Sequence, residues 1–245
     1  MSKQQREASR RERVAEMQRE VASRDRRRKL LLSLAIVVVL GAVVAGFVIF
    51  SGGGGTTGTP AATPPAKASG QALVVGSNDE AKYKVVVYED FLCPYCREFE
   101  SSSRDFLRAD AQKGTVQIEY RPFHLLRDDY SSRALSAWAA VLQEGTGKQA
   151  LRFHDLLFDN QPYESDSDKP DASDLADLAE KAGVSDDSIL ASARKADDTF
   201  VDAADASAKK AGVTGTPTVM VNGTAVEGTS ISSLVDNLER MVAAG

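Results

Sequence analysis

The stretch KVVVYEDFLCPYC, residues 84–96, decides the fold. Its first part, Lys84–Tyr88, is β-branched and aromatic and predicts a short buried strand. Two cysteines, Cys93 and Cys96, follow almost directly, and a helix is predicted over Pro94–Ala109. The proline that begins this helix suits the first helical position, where no backbone N–H is needed. The sequence therefore places a pair of thiols at the junction between a strand and a helix.

This placement suits reversible thiol–disulfide exchange. Cys93 would lie at the positive end of the helix macrodipole, where free backbone N–H groups stabilise a thiolate. Its pKa should therefore fall below the ordinary value of about 8.5. Cys96 would lie one turn inside and be less exposed. We predict that Cys93 attacks or is attacked, that Cys96 resolves the mixed disulfide, and that Pro94 and Tyr95 tune the exchange.

Two other interpretations of the cysteine pair compete with exchange. A zinc site would need His124 and His154 as further ligands, but their spacing is unlike the compact ligand pairs of structural zinc sites. A purely structural disulfide would close a very short loop and would therefore stabilise the fold little. We accordingly predict no metal and no organic cofactor, and we expect both histidines to be ordinary structural residues.

The rest of residues 70–245 predicts one α/β domain, with a central β-sheet flanked by helices. A block of helices at about residues 128–211 is too long for one crossover and is predicted to be an inserted helical subdomain. Apolar residues at helical spacing predict an amphipathic helix at the C-terminus. The further predicted strands are Thr115–Tyr120, Thr218–Val221 and, after the turn signal Asn222-Gly223, Thr224–Val226.

A run of 21 residues, Leu30–Phe50, carries no charge. At about 1.5 Å per residue it would be about 30 Å long, which matches the hydrocarbon core of a bilayer. Because Arg26–Lys29 precede it, the positive-inside rule predicts a single-pass anchor in the cell membrane. The N-terminus would be cytoplasmic and residues 70–245 extracytoplasmic. The alternative, a cleaved signal peptide, would usually have a shorter apolar core of about 7–15 residues.

The segments on either side of this run differ in composition. Residues 1–29 hold 11 Lys and Arg against 5 Asp and Glu and are predicted to be a solvated cytoplasmic tail. Residues 51–69 are rich in Gly, Thr, Pro and Ala and are predicted to be a flexible linker. The 216 residues after the tail carry 19 basic and 30 acidic side chains. This acidic body argues against a nucleic-acid partner, since phosphate binding needs clustered Lys and Arg.

Three motifs together resemble the DsbA-like branch of the thioredoxin superfamily. They are VVVYEDFLCPYC at 85–96, FHDLLFDNQ at 153–161 and GVTGTPTVMVNG at 212–223. The resemblance implies a thioredoxin-like fold and a protein thiol–disulfide oxidoreductase. Pro217 matches the cis-proline that faces the active site in that family. A cis bond would turn the backbone of Thr216 toward the thiols, where it could pair with an extended substrate segment.

The resemblance also implies a role and partners. The protein would form disulfide bonds in exported proteins with free thiols, and a quinone-linked membrane protein of the DsbB or VKOR type would reoxidise it. The same site could instead run as a disulfide reductase or isomerase. An alternative of another class is a tethered peptide-binding or chaperone-like module with an incidental disulfide.

The sequence departs from the family pattern at three places. Val87 stands where family members often have a buried acidic residue that exchanges a proton beneath the disulfide. Glu89 and Asp90 are near in sequence but need not point the same way, so water or another group could take over this exchange. The Pro-Tyr pair between the cysteines, and Thr216 before the proline, leave the direction of electron flow open.

Overall fold

The computed structural model describes residues 63–243. The predicted tail at 1–29, the predicted anchor at 30–50 and most of the predicted linker at 51–69 lie outside the described residues. Within 63–243, no helix combines the length and the apolar character needed to cross a membrane.

The described part of the chain alternates strands and helices, with a block of five helices before the last two strands. The strands are β1 (Ala66–Ser69), β2 (Ala72–Val75), β3 (Tyr83–Glu89), β4 (Val116–Pro122), β5 (Thr218–Val221) and β6 (Thr224–Ala225). The helices are α1 (Pro94–Lys113), α2 (Asp129–Glu144), α3 (Gly147–Asp159), α4 (Ala172–Lys181), α5 (Asp187–Ala193), α6 (Asp198–Lys210) and α7 (Ile231–Ala243).

The six strands form one mixed sheet in the order β1-β2-β4-β3-β5-β6. Only the central pair, β3 and β4, is parallel among these strands; the other neighbours are antiparallel. Val87 of β3 lies opposite Tyr120 of β4 and Val219 of β5. Because side chains alternate along a strand, Val85, Val87 and Glu89 share one face of the sheet. The mixed sheet confirms the α/β class that the sequence predicts, and its strand order agrees with the fold that the resemblance implies.

The prediction of a flexible linker over residues 51–69 is wrong at its C-terminal end. Its last four residues, Ala66–Ser69, form β1 and pair with β2 along their whole length. β2, the buried sequence ALVV, was not predicted either. Both strands are only four residues long, too short for a periodic pattern. Pairing with the buried neighbour outweighs the weak strand preference of alanine, lysine and serine in β1.

Helix α1 is longer than predicted. It continues past Ala109 to Lys113 and ends at Gly114, whose φ of 78° is left-handed. A left-handed glycine of this kind closes a helix because it has no Cβ to clash.

Helices α2–α6 fill the interval between β4 and β5, close to the predicted 128–211. Helix α2 lies at the centre of this subdomain and contacts α3, α4, α5 and α6. Its Trp138 is fully buried and packs edge-on against Phe91, in the loop before the cysteines, and against Phe200 of α6. The helical subdomain therefore packs directly against the loop that carries the cysteines.

Helices cover both faces of the sheet. On the face that carries Glu89, His154 of α3 hydrogen-bonds the glutamate and stacks beside Tyr120. On the other face, Arg121 of β4 donates a hydrogen bond to Ser207 of α6. The loop after β3 leads into α1 at the carboxyl end of the parallel pair, the edge where α/β proteins place their sites.

Candidate active site

Both cysteines lie at the junction between β3 and α1. Cys93 is the N-cap residue of α1, and Pro94 is its first residue. The carbonyl of Cys93 accepts hydrogen bonds from the N–H groups of Cys96 and Arg97. Cys93 is 4% exposed and Cys96 is completely buried, and both are free thiols. Only the first cysteine can therefore be reached from solvent.

The environment of Cys93 favours its thiolate. A hydrogen bond from the Cys96 thiol is the largest influence and lowers the pKa of Cys93. Burial opposes it, and the Thr216 side chain and the backbone N–H groups of Cys96 and Tyr95 add to the lowering. The resulting pKa is about 6, well below that of a free thiol. Cys93 is therefore ionised at neutral pH and ready to act as a nucleophile.

The environment of Cys96 has the opposite effect. Burial raises its pKa well above 9.0, and the hydrogen bond and charge of Cys93 and the charge of Glu89 raise it further. Cys96 therefore remains a protonated thiol until another group removes its proton. The two sulfurs are unequal in access and in charge, which suits one for attack and the other for resolution.

The Cys93 pKa can be measured directly. We expect the absorbance of the reduced protein at 240 nm, which reports thiolate, to titrate with a midpoint near pH 6. In Cys96→Ala the hydrogen bond to Cys93 is lost, so the midpoint should move up toward the free-thiol value of about 8.5. An unchanged midpoint in that variant would show that the helix N–H groups alone hold the thiolate.

The Thr216–Pro217 peptide bond is cis, as the resemblance implied. The carbonyl oxygen of Thr216 lies 3.6 Å from Cys93 Sγ and can accept a hydrogen bond from the thiol when Cys93 is protonated. Both residues are half-buried and lead directly into β5. The backbone of Thr216 thus borders the reactive sulfur, on the side where β5 begins.

The two residues between the cysteines face outward. Pro94 is exposed, and the side chain of Tyr95 is among the most exposed large apolar groups of the described residues, at 61%. Tyr95 therefore influences the sulfur through its backbone N–H, whereas its ring is available to a binding partner. Tyr163, 65% exposed, offers a second ring in the loop after α3, beneath the guanidinium of Arg97.

Sequence reasoning missed the residue that holds the cysteine loop in place. Gln161 is buried, and its Nε2 donates to the carbonyl oxygens of Phe91, at 2.9 Å, and of Cys93, at 3.0 Å. It ends the motif 153–161 that carries part of the family resemblance. The motif could therefore have indicated that Gln161 positions the cysteine loop.

Sequence reasoning also left open which group replaces the acid missing at Val87. Glu89 lies two residues later on the same face of β3 and is completely buried. Its Oε1 is 2.6 Å from Nε2 of His154, which is equally buried. Asp90 points elsewhere: its carboxylate accepts hydrogen bonds from Leu92, Leu126 and Ser131. The alternation of side chains along a strand could have shown that Glu89 lies on the same face of the sheet as Val87.

The candidate zinc ligands do not come together. In the described part of the chain, the cluster that brings metal-binding atoms within 4.8 Å of one another consists of Glu89, Glu100 and His154, without either cysteine. His124 is half-buried, and its ring faces the carbonyl oxygen of Asp128. The structural role expected for His124 agrees with these contacts, whereas His154 belongs to a buried charged cluster that was not foreseen.

Comparison with known proteins adds independent findings. The sequence profile of the thioredoxin family matches residues 68–240. The chain is similar to oxidised DsbA from Mycobacterium tuberculosis at 32% identity, with a TM-score of 0.58 over 73% of this chain and 92% of that chain. It is also similar to reduced DsbG, a disulfide bond oxidoreductase of the same organism, at 31% identity, with a TM-score of 0.56 over 72% and 86%.

A further likeness supports the fold alone. The MdbA thiol-disulfide oxidoreductase from Corynebacterium diphtheriae is 24% identical, with a TM-score of 0.60 over 74% of this chain and 95% of that chain. No match was found among curated proteins.

Proposed function

This chain belongs to the thioredoxin family and is a protein thiol–disulfide oxidoreductase of the DsbA type, and we propose that it forms disulfide bonds in exported proteins from a membrane anchor. We infer that the protein oxidises its substrates from one property of the site, the lowered pKa of Cys93. The Cys93 thiolate, with a pKa of about 6, is stabilised in the dithiol form. A stabilised dithiol makes the corresponding disulfide a stronger oxidant.

The proposed cycle uses the unequal sulfurs. A substrate thiolate attacks Cys93 Sγ of the disulfide form, the Cys93–Cys96 bond breaks, and a mixed disulfide forms. Cys96 leaves as a thiolate and takes up a proton. A second substrate thiolate then attacks the substrate sulfur and releases Cys93 as a thiolate. Two electrons pass from the substrate thiols to the two cysteines, and the substrate leaves with a disulfide.

We place the substrate across the backbone of Thr216. An extended segment that adds to the chain just before β5 would bring its own cysteine next to Cys93, since strand addition supplies main-chain hydrogen bonds. The exposed rings of Tyr95 and Tyr163 would then contact apolar side chains of an unfolded substrate. This arrangement binds backbone and apolar surface, and so suits clients of many sequences.

The location and partners are part of the proposal. The uncharged run at 30–50 would anchor the protein, and residues 51–62 would tether the domain outside the membrane. The protein would need no cofactor besides the cysteine pair itself. Its dithiol form would return two electrons to a quinone-linked membrane protein of the DsbB or VKOR type, as the family resemblance implies.

The reduction potential of the cysteine pair tests the direction. The full-length protein, purified in mild detergent, is equilibrated with reduced and oxidised glutathione, and its thiols are counted after alkylation. A potential near about −120 mV, the strongly oxidising end of the known range, is the expected result. A value at or below about −230 mV, in the range of glutaredoxins and thioredoxin, would refute the donor and point to a reductase.

A further inference from the structure

An open cavity lies at the point where the described part of the chain begins. Its volume is about 640 Å³, and Thr63, the first described residue, lines it together with residues of α1, α3 and α4. We call it the basic cavity, because the charged side chains that line it among the described residues are Asp155 and the four cations Arg108, Lys148, Arg152 and Lys181. A surplus of cations in one place is unexpected here, since acidic residues outnumber basic ones after residue 29.

Three cations of the basic cavity have no acidic partner. Arg108 and Asp155 offset each other, because they form a two-point ion pair. Within the described part of the chain, Lys148, Arg152 and Lys181 take part in no ion pair. All three of these residues are exposed. Three positive charges around the cavity are therefore available to an anion from outside.

The ends of two helices also influence the charge of the basic cavity. Helix α3 begins at Gly147, and Lys148 and Arg152 in its first turns line the cavity. The N-terminal end of a helix carries a partial positive charge and attracts anions. The C-terminal end of α4, with the opposite partial charge, borders the cavity too. There Gln149 Nε2 donates a hydrogen bond of 2.7 Å to the carbonyl oxygen of Gly183, which satisfies one of the free carbonyls.

The tether proposed at residues 51–62 would lead from the membrane to the basic cavity. Its twelve residues include no charged side chain, so the tether cannot itself neutralise the three cations. A flexible Gly-rich chain of this length has an end-to-end distance of about 20 Å. Thr63, and the cavity that it lines, would therefore stay within about 20 Å of the bilayer surface.

We propose that the basic cavity binds the phosphate groups of anionic phospholipids and so docks the domain on the membrane. Each Lys or Arg near an anionic membrane surface strengthens binding about fivefold. The tether adds to this because it keeps the local concentration of lipid high. The proposal rests on the proposed anchor at 30–50, and it is independent of the redox chemistry at Cys93 and Cys96.

Docking at the basic cavity would hold the active site away from the lipid. Helices α1 and α3 lie side by side and run in opposite directions, since their contacts follow in opposite order: Arg104 with Asp159 and Arg108 with Asp155. The cysteines lie at one end of this helix pair and the basic cavity at the other. Cys93 precedes Arg108 by 15 residues, which is about 22 Å along the helix. A docked domain would therefore present Cys93 to exported chains.

Energy transfer from Trp138 to a dansyl-labelled lipid tests the docking. Trp138 is the single tryptophan of the chain, and its Nε1 donates to the carbonyl oxygen of Ala150, between Lys148 and Arg152. It therefore lies directly behind the wall of the basic cavity. The full-length protein is inserted into nanodiscs of phosphatidylcholine alone, or of phosphatidylcholine and the anionic phosphatidylglycerol in equal parts. Transfer should be higher in the anionic nanodiscs and should fall as added salt screens the charges.

The double variant Lys148→Gln/Arg152→Gln removes two of the uncompensated charges from α3. At about fivefold for each charge, the ratio of docked to undocked protein in anionic nanodiscs should fall about 25-fold. The matched control is Lys209→Gln/Lys210→Gln, which removes two exposed basic side chains from α6, on the opposite face of the sheet. Energy transfer in this control should equal that of the wild type.

Inorganic phosphate distinguishes a lipid headgroup from a soluble anion. In phosphatidylcholine nanodiscs, millimolar phosphate is expected to leave the melting temperature of the domain unchanged, because the tether concentrates only lipid at the cavity. A rise in melting temperature that is absent in Lys148→Gln/Arg152→Gln, together with equal transfer in both kinds of nanodisc, would overturn the proposal. The basic cavity would then be a site for a soluble phosphate compound.

The outcomes distinguish the docking from the anchor and from the redox chemistry. Equal transfer in neutral and anionic nanodiscs would refute the docking, as would an equal loss of transfer in the two double variants. Protein that elutes apart from both kinds of nanodisc would refute the anchor and the docking with it. Both double variants should oxidise a reduced soluble substrate at the wild-type rate. A wild type that fails in that assay but docks would refute the proposed function and leave the docking standing.

Discussion

Replacing Cys93 with serine is expected to abolish catalysis, so that disulfides form in a reduced, unfolded substrate only at the uncatalysed rate. Cys93 is the one sulfur of the pair with access to solvent and a lowered pKa. A serine hydroxyl in its place is neither ionised near neutral pH nor able to form a disulfide. The measurement is the rate at which catalytic amounts of the full-length protein, with excess oxidised glutathione, restore the activity of a reduced disulfide-bonded enzyme.

Cys96→Ser is the matched control, since it removes one sulfur from the same site and leaves the attacking thiolate. It should still attack, but it cannot resolve, so mixed disulfides between Cys93 and substrates should accumulate. These adducts are visible as reducible mass shifts in non-reducing electrophoresis. Adducts at Cys96 in the Cys93→Ser protein, or full activity in that variant, would reverse the roles assigned to the two sulfurs.

The double variant Cys93→Ser/Cys96→Ser separates redox chemistry from simple peptide binding. A chaperone-like module would keep its effect on exported proteins in cells without either sulfur. An oxidoreductase should lose that effect while the exposed rings of Tyr95 and Tyr163 still bind unfolded chains. The comparison in cells therefore distinguishes the two classes of function that the sequence leaves open.

The sequence was informative where local chemistry dictates structure. The β-branched run before Cys93, the proline at the first helical position and the Asn222-Gly223 turn each determine the backbone over a few residues. Asn222 and Gly223 have the positive φ values, 50° and 80°, that a two-residue hairpin turn requires. These features were sufficient to place the two thiols and the strand that follows Pro217.

The sequence could not show which contacts form between segments that lie far apart in the chain. Glu89 and His154 are 65 positions apart, and their hydrogen bond exists only because α3 packs against β3. Strand alternation places Glu89 on the buried face, and helical spacing places Glu100 one turn beyond Cys96. Neither pattern shows that the two faces meet. β1 was missed for a similar reason, since its pairing with β2 and not its composition holds it in the sheet.

Breaking the buried pair between Glu89 and His154 is expected to have the largest effect on stability among substitutions near the site. Each side chain is completely buried, so Glu89→Leu or His154→Leu leaves a buried charged or polar group without its partner. Removing one member of a buried ion pair costs about 3–5 kcal/mol of unfolding free energy. Chemical denaturation of the disulfide form, in which neither cysteine titrates, measures this loss for each variant.

The double variant Glu89→Leu/His154→Leu tests whether the loss comes from the pair itself. Its loss of unfolding free energy should be clearly smaller than the sum of the losses in the two single variants, because an apolar pair leaves no uncompensated charge. Independent sites instead add to within about 0.5 kcal/mol. Additive losses would therefore show that each side chain is needed separately, by its packing, and that the pair contributes nothing of its own. Asp79→Asn, which breaks the exposed pair with Lys67, should change stability little.

The pair formed by Glu89 and His154 also predicts how the unfolding free energy changes with pH. The pKa of His154 is raised from 6.5 in the unfolded chain to about 10 in the folded protein. The stabilisation that protonated His154 provides is therefore fully present below about pH 6.5 and is lost as the pH rises through 10. The difference in unfolding free energy between the wild type and Glu89→Leu should accordingly narrow across this interval. A difference that stays constant from pH 6 to pH 10 would mean that the histidine is neutral in the folded protein and that its bond to Glu89 carries no ionic contribution.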